Sequence, residues 1–432
     1  MEAGGHQVHS GTAAWPTTSI EIERARRNIY TTCGFLDDDG AAGQAPGVVS
    51  STFVRGGSIL SPETHRHGLG GSPPTRATLR EGDLAVVLVR RVGASALVTA
   101  EHAGWTATRS IGIIRAEPYI VRWLRIWLQT PTAKARIEED VTAHVEPTIS
   151  LDTLRRMLFP LPPPDVVTAY HRAFSLIEEM TSLYQATARK ALELADALHE
   201  DWASTAAPSE IRLLAKVAKL KTGKGAERSL PPWSAEATVD VIAPKDLYDL
   251  HVPHVERFRL SGADIAGETQ PAGTFMLSSR SEGAHIAVPC RPATPLRGVV
   301  AIRPTEDEDG WWLFHELRSR RRAVPQLAQG QSSREISARA LKRLEVTWPD
   351  RFTRAAFHKQ VDPLHTAARL LVSKIATLHA LRDALFRDIS AKAGVLREPT
   401  AEPGERSAGT ASPAPRIRHN LYESGWDLES RR

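Results

Sequence analysis

The feature that most constrains the fold is a run of residues, 165–206, that contains neither glycine nor proline. Apolar side chains recur along it in alternating steps of four and three, the heptad pattern of helices that pack along a shared seam. The positions are Val166, Tyr170, Ala173, Ile177, Met180, Tyr184, Thr187, Ala191, Leu194 and Leu198. At 1.5 Å per residue such a seam is about 50 Å long, more than one small domain can cover. The sequence therefore predicts a long helix that packs on another long element.

A second run of the same kind lies near the other end of the chain. Its apolar positions are Leu364, Ala368, Leu371, Ile375 and Leu378, continuing through Leu381, Leu385 and Ile389. Two ordinary amphipathic helices, each packed on its own domain, would also give these patterns. Because the first seam is so long, we favour an antiparallel coiled coil of the two helices. The side chains predicted to serve the helix pair or partner proteins are Ile177, Met180, Tyr184, Leu194, Leu198, Leu371, Ile375, Leu378 and Leu385.

Each long helix is preceded by a similar segment, which indicates an internal duplication. The segments are TISLDTLRRMLFPLPPP, 148–164, and REISARALKRLEVTWPD, 334–350, in which a short strand stops at proline just before the helix. The spacing agrees as well, since Ile114-Arg115 precedes Ile149-Ser150 by 35 positions and Ile302-Arg303 precedes Ile336-Ser337 by 34. Chance similarity between two α/β domains is the alternative, but matching order and spacing favour a true repeat.

The elements upstream of these segments also follow one order. In the first half, buried strands are predicted within 82–93 and 109–117, followed by a helix that restarts at Pro131. In the second half, strands are predicted within 273–289 and 297–304, followed by a helix that restarts at Pro325. The tryptophan pairs of these helices, Trp123 with Trp127 and Trp311 with Trp312, are interpreted as core residues rather than base-stacking platforms.

Composition sets the remaining bounds. The chain has 432 residues, 41% of them hydrophobic, and a net charge of +5, which permits but does not require a polyanionic partner. The two cysteines, Cys33 and Cys290, cannot form a disulfide framework or a metal knuckle, so we expect a reducing cytoplasm. The N-terminus lacks the pattern of a signal peptide, and no stretch of about 18 apolar residues could span a membrane.

Several quoted segments resemble the specificity (S) subunit of type I restriction-modification systems. They are GDLAVVLVRRVGASALVTAEHAGWTATRSIGIIRAE, WLRIWLQTPTAKARI, EPTISLDTLRRMLFPLPPPDVVTAYHRAF, SEIRLLAKVAKLKTGKG and LVSKIATLHALRDALFRDIS, within residues 25–393. The sequence departs from the family in two places. The first half has no recognised counterpart of the opening SEIRLLAKVAKLKTGKG, 209–225, and is expected to be divergent or truncated there; its proline run also lacks the usual acidic-glutamine sequence.

The resemblance implies an α+β fold with two tandem target-recognition domains of small mixed sheets, each followed by a long helix. The implied organisation, in chain order, is a disordered N-terminus (1–20), recognition domain 1 (21–162), spacer helix 1 (163–205), recognition domain 2 (206–352), spacer helix 2 (353–393) and a disordered tail (394–432). The implied function is non-catalytic recognition of a bipartite, asymmetric site on double-stranded DNA. Adenine methyltransferase subunits and a restriction-translocase subunit would be the partners. They would carry S-adenosylmethionine, ATP and magnesium, and this chain would bind no cofactor or metal.

Candidate DNA contacts are basic residues in or beside strands and loops, although most such residues in any protein are simply solvated. They are Arg90, Arg91, Arg109, Lys219, Lys221, Lys224, Arg280, Arg291, Arg318 and Arg320. The last two belong to the cluster RSRRR, 318–322, for which two interpretations stay open. It could bind phosphates, or it could complement the negative end of a helix dipole.

Motifs for catalysis are missing from the sequence. KTGKG has no glycine at the spacing of a phosphate-binding loop, and no methyl-donor loop, adenine-methylation motif or nuclease motif stands out. The triplet HRH, 65–67, lies in a glycine-rich and proline-rich segment without a third metal ligand. Two alternatives to the DNA-reading subunit are therefore kept: a partner-binding scaffold with degenerate DNA specificity, and, much less supported, a hydrolase that uses histidine and acidic residues.

Overall fold

A computed structural model describes residues 15–27, 29–34, 47–60, 75–142, 146–205, 209–225, 238–248, 250, 252–256, 258–262, 267–280, 285–321, 323–328 and 335–394. The described residues fall into two units. Unit 1 comprises residues up to 176 together with those from 381 onward, and unit 2 comprises 177–380. The predicted disordered segments up to residue 14 and from 395, like the HRH triplet, lie outside the described residues.

Unit 1 consists of short strands and helices followed by the start of a long helix. Its strands are β1 (Thr17–Ser19), β2 (Tyr30–Cys33), β3 (Val48–Val49), β4 (Val54–Arg55), β5 (Ser58–Ile59), β6 (Leu84–Val87), β7 (Ser95–Leu97), β8 (Thr106–Ala107), β9 (Ile111–Arg115) and β10 (Leu158–Pro160). Its helices are α1 (Ile20–Arg27), α2 (Pro118–Trp127), α3 (Pro131–Asp140), α4 (Leu151–Arg156) and the first part of α5 (Pro164–Thr205).

Unit 2 repeats this plan. Its strands are β11 (Glu210–Leu213), β12 (Ala218–Thr222), β13 (Thr238–Ile242), β14 (His254–Val255), β15 (Arg259–Gly262), β16 (Phe275–Ser278), β17 (Ile286–Pro289), β18 (Thr294–Pro295), β19 (Val299–Pro304) and β20 (Glu345–Trp348). Its helices are α6 (Leu214–Val217), α7 (Gly310–Ser319), α8 (Ala338–Lys342) and most of α9 (Arg351–Ala393). The predicted helix restart at Pro325 is a short 3-10 helix, Val324–Leu327, and α7 itself ends at Ser319.

The two units share one topology, which supports the predicted duplication. The main sheet of unit 1 has the order β2-β9-β6-β7, and that of unit 2 has β12-β19-β16-β17 with β14 added at the edge. The antiparallel pair β1-β10 corresponds to β11-β20, and the parallel pair β3-β8 corresponds to β13-β18. Both proline-terminated segments contain a short helix capped by serine and then the strand: Ser150 accepts from the Thr153 N–H, and Ser337 from the Ala340 N–H.

Two glycines at equivalent positions show how closely the units match. Gly34 follows β2 and Gly223 follows β12, and their N–H groups donate to the carbonyls of Ile111 and Val299 at the start of the paired strand. A Cβ on Gly34 would lie 2.0 Å from the Thr108 oxygen, and one on Gly223 would lie 2.1 Å from the Leu296 oxygen. Gly223, the first glycine of KTGKG, is therefore required because the two backbones approach closely there.

This correspondence decides between the two expectations for the opening of the first half: the opening is present and is divergent in sequence. The strand-helix-strand series β1, α1, β2 in unit 1 occupies the place of β11, α6, β12 in unit 2. Residues 15–20, predicted to be disordered, form β1 and the start of α1, and Trp15 packs against the core. The opening escaped detection because its residues differ from those of 209–225 while their backbone pairing is the same.

Strands at the centre of each sheet are buried on both faces. In β6, Leu84 and Val86 join the core on the helix side, whereas Ala85 and Val87 join a second core on the opposite side. In β16, Phe275 faces the helix side of unit 2. This is why these strands are continuous apolar runs without a polar alternation.

The helix packed on each sheet supplies the largest buried side chains. Trp123, Trp127 and Trp312 are fully buried, and Trp311 is half-buried, which confirms the prediction that these residues belong to the cores. The restart at Pro131 is also confirmed. Proline occupies the first position of α3, where a missing N–H costs nothing, and Thr130 caps the helix by accepting from the Ala133 N–H.

The predicted antiparallel pairing of the long helices is confirmed within each unit. In unit 1, Phe174 of α5 stacks on Phe386 of α9 with ring centroids 4.7 Å apart, and the Tyr170 hydroxyl donates to Asp388. In unit 2, the Trp202 indole N–H donates to the Gln360 side chain at 3.1 Å, and Ala188 and Leu192 pack with Ala368. Residue numbers rise along α5 as they fall along α9, as in an antiparallel pair.

The predicted seam of α5 is wrong at alternate positions. Met180 and Leu194 are 39% and 51% exposed, and the buried positions lie one residue later in each heptad. Those positions include Val167, Phe174, Ala188 and Ala195, while Tyr170 and Ile177 are buried as predicted. Two overlapping stripes fit the periodicity, and the structure buries the later one, in which Ala188 packs with Ala368 of α9 and Ala195 packs in the core of unit 2.

Most of the other predicted seam residues lie on the inner side, and Leu381 is the exception among them. Tyr184, Leu198, Leu371, Ile375, Leu378 and Leu385 are half-buried. Leu381 is 50% exposed, and Ile389 is fully buried.

Among the described residues, no helix has the length and apolarity needed to cross a lipid bilayer. Cys33 and Cys290 are both unpaired.

Candidate nucleic-acid interface

The candidate DNA contacts of unit 1 surround the β6-β7 turn and the start of β9. Arg90 is exposed, adopts a left-handed backbone with φ of 69°, and pairs with Glu146 at 2.7 Å. Arg91 donates to the carbonyls of Ser51 and Thr52, and its pKa is lowered by burial and by the nearby Arg55. Arg91 thus fastens the turn to the segment before β4. Arg109 is exposed ahead of β9.

The candidates of unit 2 concentrate on β12, the edge strand of its five-stranded sheet. Lys219 and Lys221 lie two residues apart on the same exposed strand face, and Lys221 pairs with Glu268 at 2.5 Å. Lys224 is exposed in the turn that follows. The structure therefore brings these three lysines together along one sheet edge.

Arg280 and Arg291 follow β16 and β17, and both are exposed. Arg291 forms two bonds to the Asp240 carboxylate, at 2.5 and 3.0 Å, and its guanidinium lies 4.4 Å from the Phe258 ring centroid. The hydrogen bond to Asp240 raises the pKa of Arg291. This two-bond pair neutralises Arg291 at the surface of unit 2.

The cluster RSRRR does something that neither sequence interpretation included. Arg318 pairs with Asp196 of α5 at 2.6 Å, and Arg320 pairs with Glu316 at 2.7 Å and donates to the Thr347 hydroxyl at 3.1 Å. These contacts fasten the end of α7 to α5 and β20 inside unit 2. Arg322 lies outside the described residues.

A row of buried histidines, which was not predicted from the sequence, extends from Asp196 through the interior of unit 2. Asp196 lies 2.7 Å from His315 Nδ1 and His315 Nε2 lies 2.9 Å from His365 Nε2. His365 Nδ1 is 3.3 Å from His254 Nε2, and the His365 ring stacks on Trp311 at 3.6 Å. This row of buried histidines ties α5, α7, α9 and β14 together through polar contacts.

The hydrogen bonds between Asp196 and the three rings can all form when the histidines are neutral. His315 and His365 each then donate one N–H toward Asp196 and accept from the next ring, a tautomer assignment that follows from the network. His254 donates to His365, and its buried Nδ1 has no hydrogen-bond partner among the described residues. Desolvation is the main reason that the pKa values of His254, His315 and His365 are lowered, that of His254 to about 4. The neighbouring His199, also buried, has its pKa lowered to about 4 by desolvation. Bonds from His315 and Arg318 hold the pKa of Asp196 well below its usual range despite its own burial.

An open cleft of about 1430 Å³ lies beside the row of buried histidines in unit 2. Its walls carry both signs of charge, including Arg189, Arg321, Glu193 and Glu200. Among the described residues, no group of three or more His, Cys, Asp or Glu is arranged to hold a metal ion. The contacts of Asp196 and the histidines join α5, α7 and α9 to one another, which is a structural role.

A buried ion pair in unit 1 was likewise missed. Asp83, 1% exposed at its side chain, receives two bonds from Arg115, at 2.7 and 2.6 Å. Asp83 also accepts from the Arg80 N–H at 2.8 Å, which fixes the turn before β6. The sequence offered one clue, since Arg115 stands at a repeated Ile-Arg position. Nothing in the sequence indicated its partner.

Comparison with solved structures identifies the fold. The S subunit of a type I restriction-modification system from M. genitalium matches with a TM-score of 0.54, at 12% identity, over 89% of this chain and 97% of that chain. A structure of type I R-M complex assembly and conformational transition gives a TM-score of 0.41 at 17% identity, covering 87% and 97%. The HsdS subunit from Thermoanaerobacter tengcongensis gives 0.34 at 17% identity, covering 90% and 99%.

Sequence comparisons are silent where the structure is informative. No family model matches this chain, and no curated protein matches it. The similarity to the M. genitalium protein extends over nearly the whole of both chains, so it covers both units and both long helices. The chain therefore has the fold of a type I restriction-modification S subunit.

Proposed function

We propose that this chain is the DNA-reading specificity subunit of a type I restriction-modification complex. The observation that carries the proposal is the duplicated unit, in which each copy has the same sheet frame and packs against an antiparallel pair of long helices. Two copies with different surface residues suit a bipartite and asymmetric target, since each would read its own short half-site from base edges in the major groove.

The chemistry would lie on partner subunits. We infer that adenine methyltransferase subunits bind the long helices, flip a target adenine and use S-adenosylmethionine. A restriction-translocase subunit would bring ATP and magnesium. Support comes from apolar side chains exposed on one face of α5 in unit 2: Met180, Leu183 and Leu194 are 39%, 62% and 51% exposed. Exposed leucines on a helix that already has an inner face are typical of a protein-binding surface.

The scaffold alternative loses its main argument. It depended on a degenerate first half without the usual opening, and β1, α1 and β2 supply that opening. A scaffold would bind DNA weakly, with no sequence preference and with affinity that disappears as salt is raised.

The test is to express the chain with its adenine methyltransferase and map methylated adenines across a bacterial genome. The expected result is a single motif with two short blocks separated by a fixed gap. Replacing 82–117 with the corresponding segment of another S-fold chain should change one block and leave the other. Methylation at random sites, or at a motif with one block, would reject the proposal in favour of the scaffold.

A further inference from the structure

The internal duplication makes it possible to compare the charge of two equivalent sheet edges. Arg115 in β9 lies opposite Tyr30 in β2, and Arg303 in β19 lies opposite Lys219 in β12. Each arginine follows an isoleucine that pairs with the first residue of the neighbouring strand in the sheet. This residue is Leu84 of β6 in unit 1 and Phe275 of β16 in unit 2. Arg115 and Arg303 are therefore structural equivalents.

Their electrostatic surroundings differ. Asp83, the residue before β6, neutralises Arg115 through a two-bond ion pair, and Arg115 also lies 5.5 Å from the Tyr30 ring centroid. The residue before β16 is Thr274, which is 1% exposed and whose hydroxyl has no hydrogen-bond partner among the described residues. Gly82 and Gly273 precede these residues with φ of 84° and 83°, which confirms that Asp83 and Thr274 occupy the same turn position.

Arg303 is consequently a cation without the carboxylate that its equivalent has. Its side chain is exposed and makes no ion pair or hydrogen bond within the described part of the chain. Its cross-strand neighbour Lys219 is also exposed and is likewise unpaired among the described residues. Two like charges directly opposite each other on a strand pair are unfavourable in the isolated protein, and an anion placed between them removes that cost.

The rest of the edge strand adds to the contrast. Where unit 2 has Lys219 and Lys221, unit 1 has Tyr30 and Thr32 at the same register. Lys224 and Arg297 are exposed where the turn after β12 meets the β18-β19 turn, which are joined by the Arg297 N–H donating to the Gly225 carbonyl at 2.9 Å.

We propose that this cationic edge of unit 2, formed by Lys219 and Arg303 with Lys224 and Arg297 beyond them, binds the phosphate backbone of DNA, and that the equivalent edge of unit 1 does not. The inference rests on the proposed function as a DNA-binding subunit and adds a division of labour. The edge of unit 2 supplies sequence-independent affinity and salt dependence, whereas the equivalent edge of unit 1 contributes little of either. Phosphate contacts of this kind set position on the duplex and carry no sequence information.

The test measures how DNA affinity of the full-length chain depends on salt. The slope of log K against log salt is negative, and each lost phosphate contact should reduce its magnitude, called the salt slope, by about 0.9. Arg303→Gln and Lys219→Gln should each do so, on a target duplex and on an unrelated duplex alike. Thr274→Asp should also lower the salt slope, because it restores the carboxylate that neutralises the equivalent arginine in unit 1. Lys190→Gln, on the exposed face of α5, changes the net charge equally and should leave the salt slope unchanged.

The outcomes separate this inference from the proposed function. Circular dichroism of each variant checks that it is folded, and the exposed Arg303 and Lys219 can be replaced without opening a core. If Arg303→Gln and Lys219→Gln bind DNA with the wild-type salt slope, the phosphate site is refuted even though the chain still prefers its target. If the wild type binds both duplexes equally while these variants lower the salt slope, the site stands and specific recognition is refuted.

Discussion

Acid should unfold unit 2 through its buried histidines. His199 and His254 have folded-state pKa values of about 4, against an ordinary value of 6.5, because burial disfavours their charged forms. Below pH 6.5 the unfolded chain therefore binds protons that the folded chain does not. Stability is complete above pH 6.5, falls as the pH drops from 6.5 toward 4, and levels off below the folded pKa.

The magnitude follows from the width of that window. A pKa shift from 6.5 to about 4 corresponds to about 3 kcal/mol per histidine, so the two residues together account for about 6 to 7 kcal/mol. The lowered pKa values of His315 and His365 act in the same direction. The sum is comparable with the whole unfolding free energy of an ordinary domain, which is about 5–15 kcal/mol.

Urea unfolding between pH 7.5 and 4.5, followed by hydrogen exchange of peptides from each unit, measures the effect. The double variant His199→Gln, His254→Asn should lose much of the pH dependence of unit 2. His285→Gln removes a histidine of the same unit that does not belong to the row of buried histidines, and this variant should keep the wild-type pH dependence. Equal pH slopes for the wild type and the double variant would refute the reasoning, because they would mean that neither histidine resists protonation in the folded state.

Two other predictions concern the repeat and the helices. Gly223→Ala and Gly34→Ala should each destabilise their unit by about 1–3 kcal/mol in urea unfolding, since the new Cβ meets a backbone oxygen at 2.1 or 2.0 Å; an unchanged midpoint would contradict the close approach. Leu183→Glu should abolish co-purification with the methyltransferase without changing the unfolding midpoint, because Leu183 is 62% exposed. Glu178→Gln, an exposed polar position on the same helix, serves as the control and should keep full co-purification.

Tertiary packing decided features that no periodicity contains. The helix α9 continues through Pro363, which removes a backbone hydrogen bond at a cost of about 3 kcal/mol in an ordinary helix. Burial of Phe357 and Val361 on one side of Pro363 and of His365 on the other holds the helix together there. The seam error at Met180 and Leu194 has a similar origin, since a heptad count cannot choose between two stripes without the partner helix.

The sequence alone determined the duplication, the order of strands and helices, the proline stops and the existence of two long helices that need each other. These features are encoded locally, in apolar periodicity, in capping residues such as Thr130 and Ser337, and in the spacing of repeated positions. Only the tertiary structure decided which cations are neutralised. Asp83 reaches Arg115 and Asp196 reaches Arg318 across strands and helices that are distant in sequence. Arg303 has no such partner in the described part of the chain, where threonine occupies the position equivalent to Asp83. A charge acts through what lies within a few ångströms of it, and folding alone sets those distances.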